Sequence, residues 1–129
     1  SPDSKALYHA AAVMVSNQIV ALADMGTALL VKCGFSEAAA AEALSPLLLG
    51  NAQSVAEKGA VNALTGPIER GDAQTVSKHL QEIRKFAAES TVGQDILTAY
   101  TALSKQLIRI AQQKHPQKDY KHLEKELEQ

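Results

Sequence analysis

Four polar residues interrupt an otherwise apolar N-terminal segment and are the residues best suited to chemistry: Tyr8, His9, Ser16 and Asn17. A histidine can transfer a proton near neutral pH, and an asparagine amide can orient a polar group of a substrate. On a continuous helix, His9 and Ser16 lie about 20° apart around the axis, and Asn17 lies about 80° from His9. One interpretation is that these side chains line a cleft and meet a substrate. The other is that they hydrogen-bond across a helix–helix contact, as buried polar groups must.

A second candidate is the segment Thr65–Asp72, with the sequence TGPIERGD. Its glycines, proline and aspartate are typical of turns and helix caps, which favours a structural role. Thr65 and Arg70 are the residues of this segment whose functional groups the turns and the cap do not use. Arginine can bind both oxygens of a carboxylate or phosphate, so these two residues are candidates for substrate binding.

Motifs for nucleotides and metals are missing from the sequence. The seven glycines are isolated, and no Gly-x-Gly-x-x-Gly, phosphate loop or Cys-x-x-Cys occurs. The four histidines are too scattered to predict a metal site, and His79 is expected at a packed or surface position. Cys33 is the only cysteine and is expected to be a small buried apolar residue. A lone cysteine without a signal peptide favours a cytoplasmic protein.

The composition indicates which elements position these residues. Hydrophobic residues make up 46% of the chain but aromatic residues only 4%, and alanine and leucine dominate. Runs of β-branched and aromatic residues are scarce, so the sequence predicts an all-α domain of six or seven helices. The net charge of −1 argues against a dedicated nucleic-acid-binding protein.

The segment Lys5–Lys32 is predicted to be one long helix that ends at Gly34, with Asp3 or Ser4 as its N-cap. Asp24 is its only charge between residues 6 and 31, and apolar residues fall on every face. A helix that is apolar all round is buried, and a domain of this length cannot surround it alone. No run of 18 apolar residues occurs, which argues against a membrane span. We therefore expect a homodimer, or contact with another domain, through this helix.

The rest of the chain is predicted to form shorter helices. Ser36 caps the second helix, Ser45-Pro46 starts a third that runs to Gly59, and a helical turn covers residues 60–64. Asp72 caps a helix over residues 73–89 with four residues facing inward: Val76, Leu80, Ile83 and Ala87.

The last predicted elements are a helix over residues 94–113 and a polar helical tail over residues 116–129 that frays. The inward side of the former consists of Ile96, Leu97, Tyr100, Leu103, Leu107, Ile110 and Ala111.

Two separated stretches resemble a known family. They are Tyr8-His9-Ala10-Ala11-Ala12-Val13 with Ser16-Asn17, and Ala63–Asp72 with Thr75-Val76 and His79-Leu80. Over about residues 5–112 the chain resembles the C-terminal helical domain of Rossmann-like oxidoreductases, a domain of unknown function. These proteins are labelled NADP-dependent or deazaflavin-linked. They are similar to ketopantoate reductase, to pyrroline-5-carboxylate reductase and to the fold of the 6-phosphogluconate dehydrogenase C-terminal domain.

The resemblance implies that residues 1–129 form a single substrate and dimerisation domain, with a core over about residues 5–112. It implies a parent protein whose N-terminal Rossmann domain, absent here, binds NADP, so that this chain alone holds no cofactor and is inert. His9 and Asn17 are then the candidate catalytic residues, and Ser16 lies in the same substrate cleft. Related dehydrogenases have a lysine where this chain has His9. The alternative is a non-catalytic helical module that binds another protein.

Overall fold

The computed structural model describes all 129 residues, of which 82% are helical and none lies in a strand. Six helices follow one another: α1 Pro2–Val15, α2 Asn17–Lys32, α3 Glu37–Ala63, α4 Ala73–Glu89, α5 Thr91–Lys114 and α6 Lys121–Glu128. The predicted all-α class is confirmed. The chain divides into two compact units, Ser1–Asn51 and Ala52–Gln129.

The predicted single helix Lys5–Lys32 is wrong at its centre, because Ser16 separates α1 from α2. Ser16 adopts φ −117° and ψ −75°, and its amide donates to the carbonyl of Val13 at 3.4 Å. Serine competes for backbone hydrogen bonds through its own hydroxyl, which weakens a helix at this point. The N-cap is Ser1, whose hydroxyl accepts from the amide of Ser4, rather than Asp3 or Ser4.

The end of α2 follows the prediction. Gly34 adopts φ +100°, which favours glycine, and its amide donates to Val31 while the amide of Phe35 donates to Leu30. These two bonds satisfy carbonyls that the helix end leaves free. Cys33 precedes this turn and is exposed, so the expectation of a buried cysteine is wrong.

Helix α3 begins where predicted, since the Ser36 hydroxyl accepts from the amide of Ala39. The predicted restart at Ser45-Pro46 is wrong, because the helix continues through Pro46. Proline removes one helical hydrogen bond, but the flanking alanines and leucines are strong helix formers. The helix does break at Gly59, with φ +81° and ψ +167°, and a final helical turn follows as predicted.

The first unit has little buried core of its own. Neither α1 nor α2 contains a fully buried residue. Helix α2 approaches α3 at Gly26, where an added methyl group would lie 3.2 Å from the Leu44 side chain. Residues 25–30 are half-buried, and Ala40 on α3 is fully buried.

The second unit has a well-defined core between α4, α5 and α6. All four residues predicted to face inward from α4 are buried. The core cluster consists of Leu64, Ile68, Val76, Leu80, Ile108, Ala111, Tyr120, Leu123 and Leu127.

Helix α5 buries a somewhat different face from the predicted one. Ile96 and Ala111 are buried, but Leu103 is 43% exposed and Ser104 is buried. The residues after 112 are also more than a polar tail, because Leu123 on α6 is 1% exposed. Tyr120, Leu123 and Leu127 place apolar groups three and four residues apart on one face, which is the spacing of a packed helix.

Candidate functional site

The N-terminal candidates lie on either side of the helix break. His9 is exposed on α1, and Asn17 is exposed as the first residue of α2. Ser16 is the break itself, and its side chain caps neither helix. No hydrogen bond joins any two of these residues, and the angles expected for a continuous helix do not apply across Ser16.

The surroundings of these residues are apolar and exposed. The exposed fractions are 72% for Leu7, 81% for Tyr8, 72% for Val15 and 69% for Val20. We call this surface of α1 and α2 the N-terminal apolar surface. Exposed apolar patches of this kind mark contacts with another protein, a ligand or a membrane.

The segment Pro2–Lys32 is also long and apolar enough to cross a membrane by length and composition alone. The mostly buried core helix of a soluble protein and a signal sequence pass the same test, but neither α1 nor α2 buries a residue within this chain. The helix break at Ser16 and the charge of Asp24 both lie inside this segment, and both are costly in a bilayer core.

The second candidate, Thr65–Asp72, is a loop fixed by contacts with the core of the second unit. Ile68 is buried in the core, and the backbone carbonyl of Glu69 accepts from the Tyr120 hydroxyl at 2.8 Å. Three backbone hydrogen bonds close its turns, including one from the amide of Asp72 to Pro67 at 2.8 Å. Thr65 and Arg70 remain exposed at the surface of this fixed loop.

Glu69 makes the main ionic contact of the loop. Its Oε2 lies 2.7 Å from Lys114 Nζ and 3.7 Å from His115 Nε2. Lys114 also donates to the carbonyl of Leu64 at 2.8 Å, so one ammonium connects the start of the loop and Glu69 to the end of α5. The hydrogen bond and the charge of Lys114 lower the pKa of Glu69 below its usual range, with a smaller contribution from His115.

Asp72 connects the loop to α4, as the sequence predicted. One carboxylate oxygen accepts from the Thr75 amide at 3.1 Å and the other from the Thr75 hydroxyl at 2.7 Å. These two bonds hold the pKa of Asp72 below its usual range, the hydroxyl contributing most. The loop is therefore a rigid platform that presents Thr65 and Arg70.

Sequence reasoning missed the role of Glu69. It identified Thr65 and Arg70 by their chemistry, whereas the contacts of Glu69 come from residues 45–51 positions further along the chain. No local spacing connects Glu69 with Lys114 or Tyr120, so only the packing of α5 and α6 could have identified this cluster.

His79 and Tyr100 form a second connection that the sequence did not predict. The Tyr100 hydroxyl and His79 Nδ1 are 2.9 Å apart, and the two rings meet edge to face with centroids 6.0 Å apart. Burial raises the pKa of Tyr100, and a hydrogen bond with the Ser104 side chain opposes this increase. His79 is exposed, as expected, and the pair joins α4 to α5 at the surface of the second unit.

The residues of this chain do not fit the dinucleotide that the resemblance implies for the parent protein. A dinucleotide pyrophosphate binds at a strand–glycine turn–helix junction, and this all-helical chain has no such junction. No group of three or more histidine, cysteine, aspartate or glutamate side chains is placed to hold a metal ion.

Comparison with known families identifies the chain. It belongs to the family defined by the domain of unknown function DUF2520, whose sequence profile matches residues 1–107. No curated protein and no solved structure gives a significant match.

Proposed function

We propose that this chain is the substrate-side and dimerisation domain of an NAD(P)-dependent oxidoreductase. In this proposal its fold is that of the 6-phosphogluconate dehydrogenase C-terminal domain, and a separate Rossmann domain of the parent protein binds NADP. The observation that carries the proposal is the N-terminal apolar surface, on helices that bury no residue within this chain.

A second copy of the chain is the proposed cover for this surface. Stable interfaces bury about 800 Å² on each partner and have an apolar centre. Large exposed side chains run along both helices, from Leu7 on α1 to Val31 on α2, and only Asp24 adds a charge between residues 6 and 31. A two-fold contact between such helices removes the apolar surface from water without placing many charges in the interface.

The polar residues acquire a function once this surface is covered. His9 and Asn17 lie among apolar neighbours, and a covered site of low polarity strengthens their interactions with a substrate. In this proposal His9 transfers a proton to or from a small-molecule substrate, while Asn17 and Ser16 orient it. Thr65 and Arg70, in the second unit, are proposed separately as a pair that binds a carboxylate or phosphate group from their rigid loop.

The dimer is tested by sedimentation equilibrium of the wild-type chain and two variants. We expect the wild type to be dimeric at micromolar concentration and Val15→Glu, which places a charge on the N-terminal apolar surface, to be monomeric. The matched control is Val92→Glu on α5, which is 52% exposed in the wild type and should remain dimeric. A monomeric wild type would refute the proposed dimer.

The catalytic role requires the parent protein. We expect His9→Ala and Asn17→Ala to lower turnover of the parent enzyme by at least tenfold without changing its circular dichroism spectrum. Unchanged turnover in both variants would remove the site assignment while leaving the dimer intact.

The second candidate function is a non-catalytic helical module that binds another protein. It is favoured by the observation that His9, Ser16 and Asn17 form no hydrogen bonds with one another. The sequence upstream of Ser1 in the parent gene discriminates between the two functions. A glycine-rich strand–turn–helix there favours the oxidoreductase, and a different domain favours the binding module.

Flotation with liposomes tests whether the N-terminal apolar surface binds a membrane. Because the helix break and Asp24 are costly in a bilayer, we expect the chain to stay out of the lipid fraction. Flotation of the wild type, lost in Val15→Glu, would assign the apolar surface to lipid instead of a second copy.

A further inference from the structure

Basic and acidic residues are unevenly distributed along the chain, and this distribution has no role in the proposed function. Residues 96–118 contain Lys105, Arg109, Lys114 and Lys118 but no aspartate or glutamate. The remainder of the chain has nine basic and fourteen acidic residues. The part of α5 from Ile96 onwards, together with the residues up to Lys118, is therefore cationic on a chain that is acidic elsewhere.

Two of these four cations already have partners. Lys114 pairs with Glu69 at 2.7 Å, and Lys118 Nζ lies 6.0 Å from the centre of the Tyr120 ring. Lys105 and Arg109 form no ion pair, and both are exposed. They are four positions apart in the sequence, so two like charges lie next to each other on the same face of α5, an unfavourable arrangement for an isolated helix.

No neighbouring residue on the helix compensates these two charges. The residues three and four positions from Lys105 are Thr101, Ala102, Ile108 and Arg109. For Arg109 they are Lys105 and three glutamines, of which Gln106 accepts from the guanidinium Nη1 at 2.9 Å. This bond orients the guanidinium while leaving its other N–H groups available.

The two cations border a shallow groove on the surface of α5. This groove, of about 560 Å³, is mostly open to solvent, and its lining residues all belong to α5: Leu97, Thr98, Thr101, Ala102, Lys105 and Arg109. Thr101, Lys105 and Arg109 follow one another at intervals of four residues, which is about 6 Å along the helix axis. The Thr98 hydroxyl already donates to the carbonyl of Gln94 at 3.1 Å, so it can only accept from a ligand. Leu97 and Ala102 add an apolar wall.

We propose that this groove binds a small molecule through an oxyanion, either a phosphate or a carboxylate. Lys105 and Arg109 hold the oxyanion by charge-assisted hydrogen bonds, and the Thr101 hydroxyl donates a third. The apolar part of the ligand lies on Leu97 and Ala102. The proposal goes beyond the dimer and the His9 site and does not depend on them.

The test is a titration of the full chain followed by backbone amide chemical shifts. Inorganic phosphate and acetate are the two probes, each added at constant pH and ionic strength. We expect saturable shifts confined to residues 97–109 with at least one probe, and the probe that saturates identifies the preferred oxyanion. Absence of saturation with both probes would overturn the proposal.

Two double variants distinguish binding at this groove from a general effect of the protein's net charge. K105Q/R109Q should weaken binding at least tenfold, and glutamine keeps the helix because it is a good helix former. K121Q/K125Q on α6 removes two exposed lysines at the same spacing, but from a helix with three glutamates. It should change the dissociation constant by less than twofold. Equal losses in the two variants would show that phosphate and acetate only sense net charge.

Discussion

Replacement of Leu123 by alanine tests whether α6 is part of the folded core. Leu123 is 1% exposed and belongs to the same cluster as Val76 and Leu80 of α4. A buried Leu→Ala change costs about 2–5 kcal/mol, because it removes apolar contacts and leaves a cavity. In a domain of this size, about 3 kcal/mol lowers Tm by roughly 12–24 °C.

The matched control is Leu103→Ala on α5. It makes the same chemical change in a helix, but at a side chain that is 43% exposed and that the sequence wrongly placed in the core. Since about half of the side chain is already in water, the expected loss is about 1 kcal/mol or less. The two variants therefore make the same chemical change at a buried and at a half-exposed helical position.

The assay is hydrogen exchange of α4 amides along a urea titration. Amides of α4 report on the second unit even if the two units unfold separately. We expect the urea midpoint of α4 to fall much further in Leu123→Ala than in Leu103→Ala. If the two variants lose equal stability, or if Leu123→Ala loses none, α6 is a solvated tail and the description of the core is wrong.

Three further predictions concern the second unit. Gly93→Ala should destabilise the second unit by about 1–3 kcal/mol in urea unfolding, because the added methyl group would overlap the Phe86 carbonyl and lie 2.7 Å from the Ala87 nitrogen. The control is Gly50→Ala on α3 in the first unit, where the methyl group has open space and should stabilise the helix. The pKa values of Glu69 and Asp72 are lowered in the folded protein, so their ionised forms stabilise the fold above about pH 4. This stabilisation is lost as the pH falls through the pKa values of the folded protein. The double variant Glu69→Gln/Asp72→Asn should therefore show a smaller decrease of Tm between pH 5 and pH 2 than the wild type. Burial raises the pKa of Tyr100, and burial together with the charge of Glu69 raises that of Tyr120. The stability of the fold should therefore decline as the pH rises above about 10, and Tyr100→Phe should reduce this decline. Absorbance at alkaline pH should show two tyrosines that ionise at a higher pH than a free tyrosine.

The sequence predicted most of the second unit because its signals are local. Asp72 is a strong helix cap, and Val76, Leu80, Ile83 and Ala87 repeat at intervals of three and four residues, so both the start of α4 and its buried face were predictable. The same reasoning failed at Leu103, because α5 contains more apolar residues than one face can bury.

Other features depend on contacts that no local pattern encodes. Pro46 does not break α3 although proline usually does. The ion pair of Glu69 with Lys114 joins residues far apart in the chain. The candidate site residues His9, Ser16, Asn17, Thr65 and Arg70 stay predictions, since their chemistry is known but their ligand is not.

The position of α6 has a consequence for how the family is delimited. Similarity to DUF2520 ends at residue 107, in the middle of α5, but the core continues to Leu127. A protein cut at residue 107 would lose five members of the core cluster that contains Val76 and Leu80, and the apolar surface exposed in this way would favour aggregation. The segment that matches the family profile is therefore shorter than the segment that contributes to the core, and boundaries for expression should follow the latter.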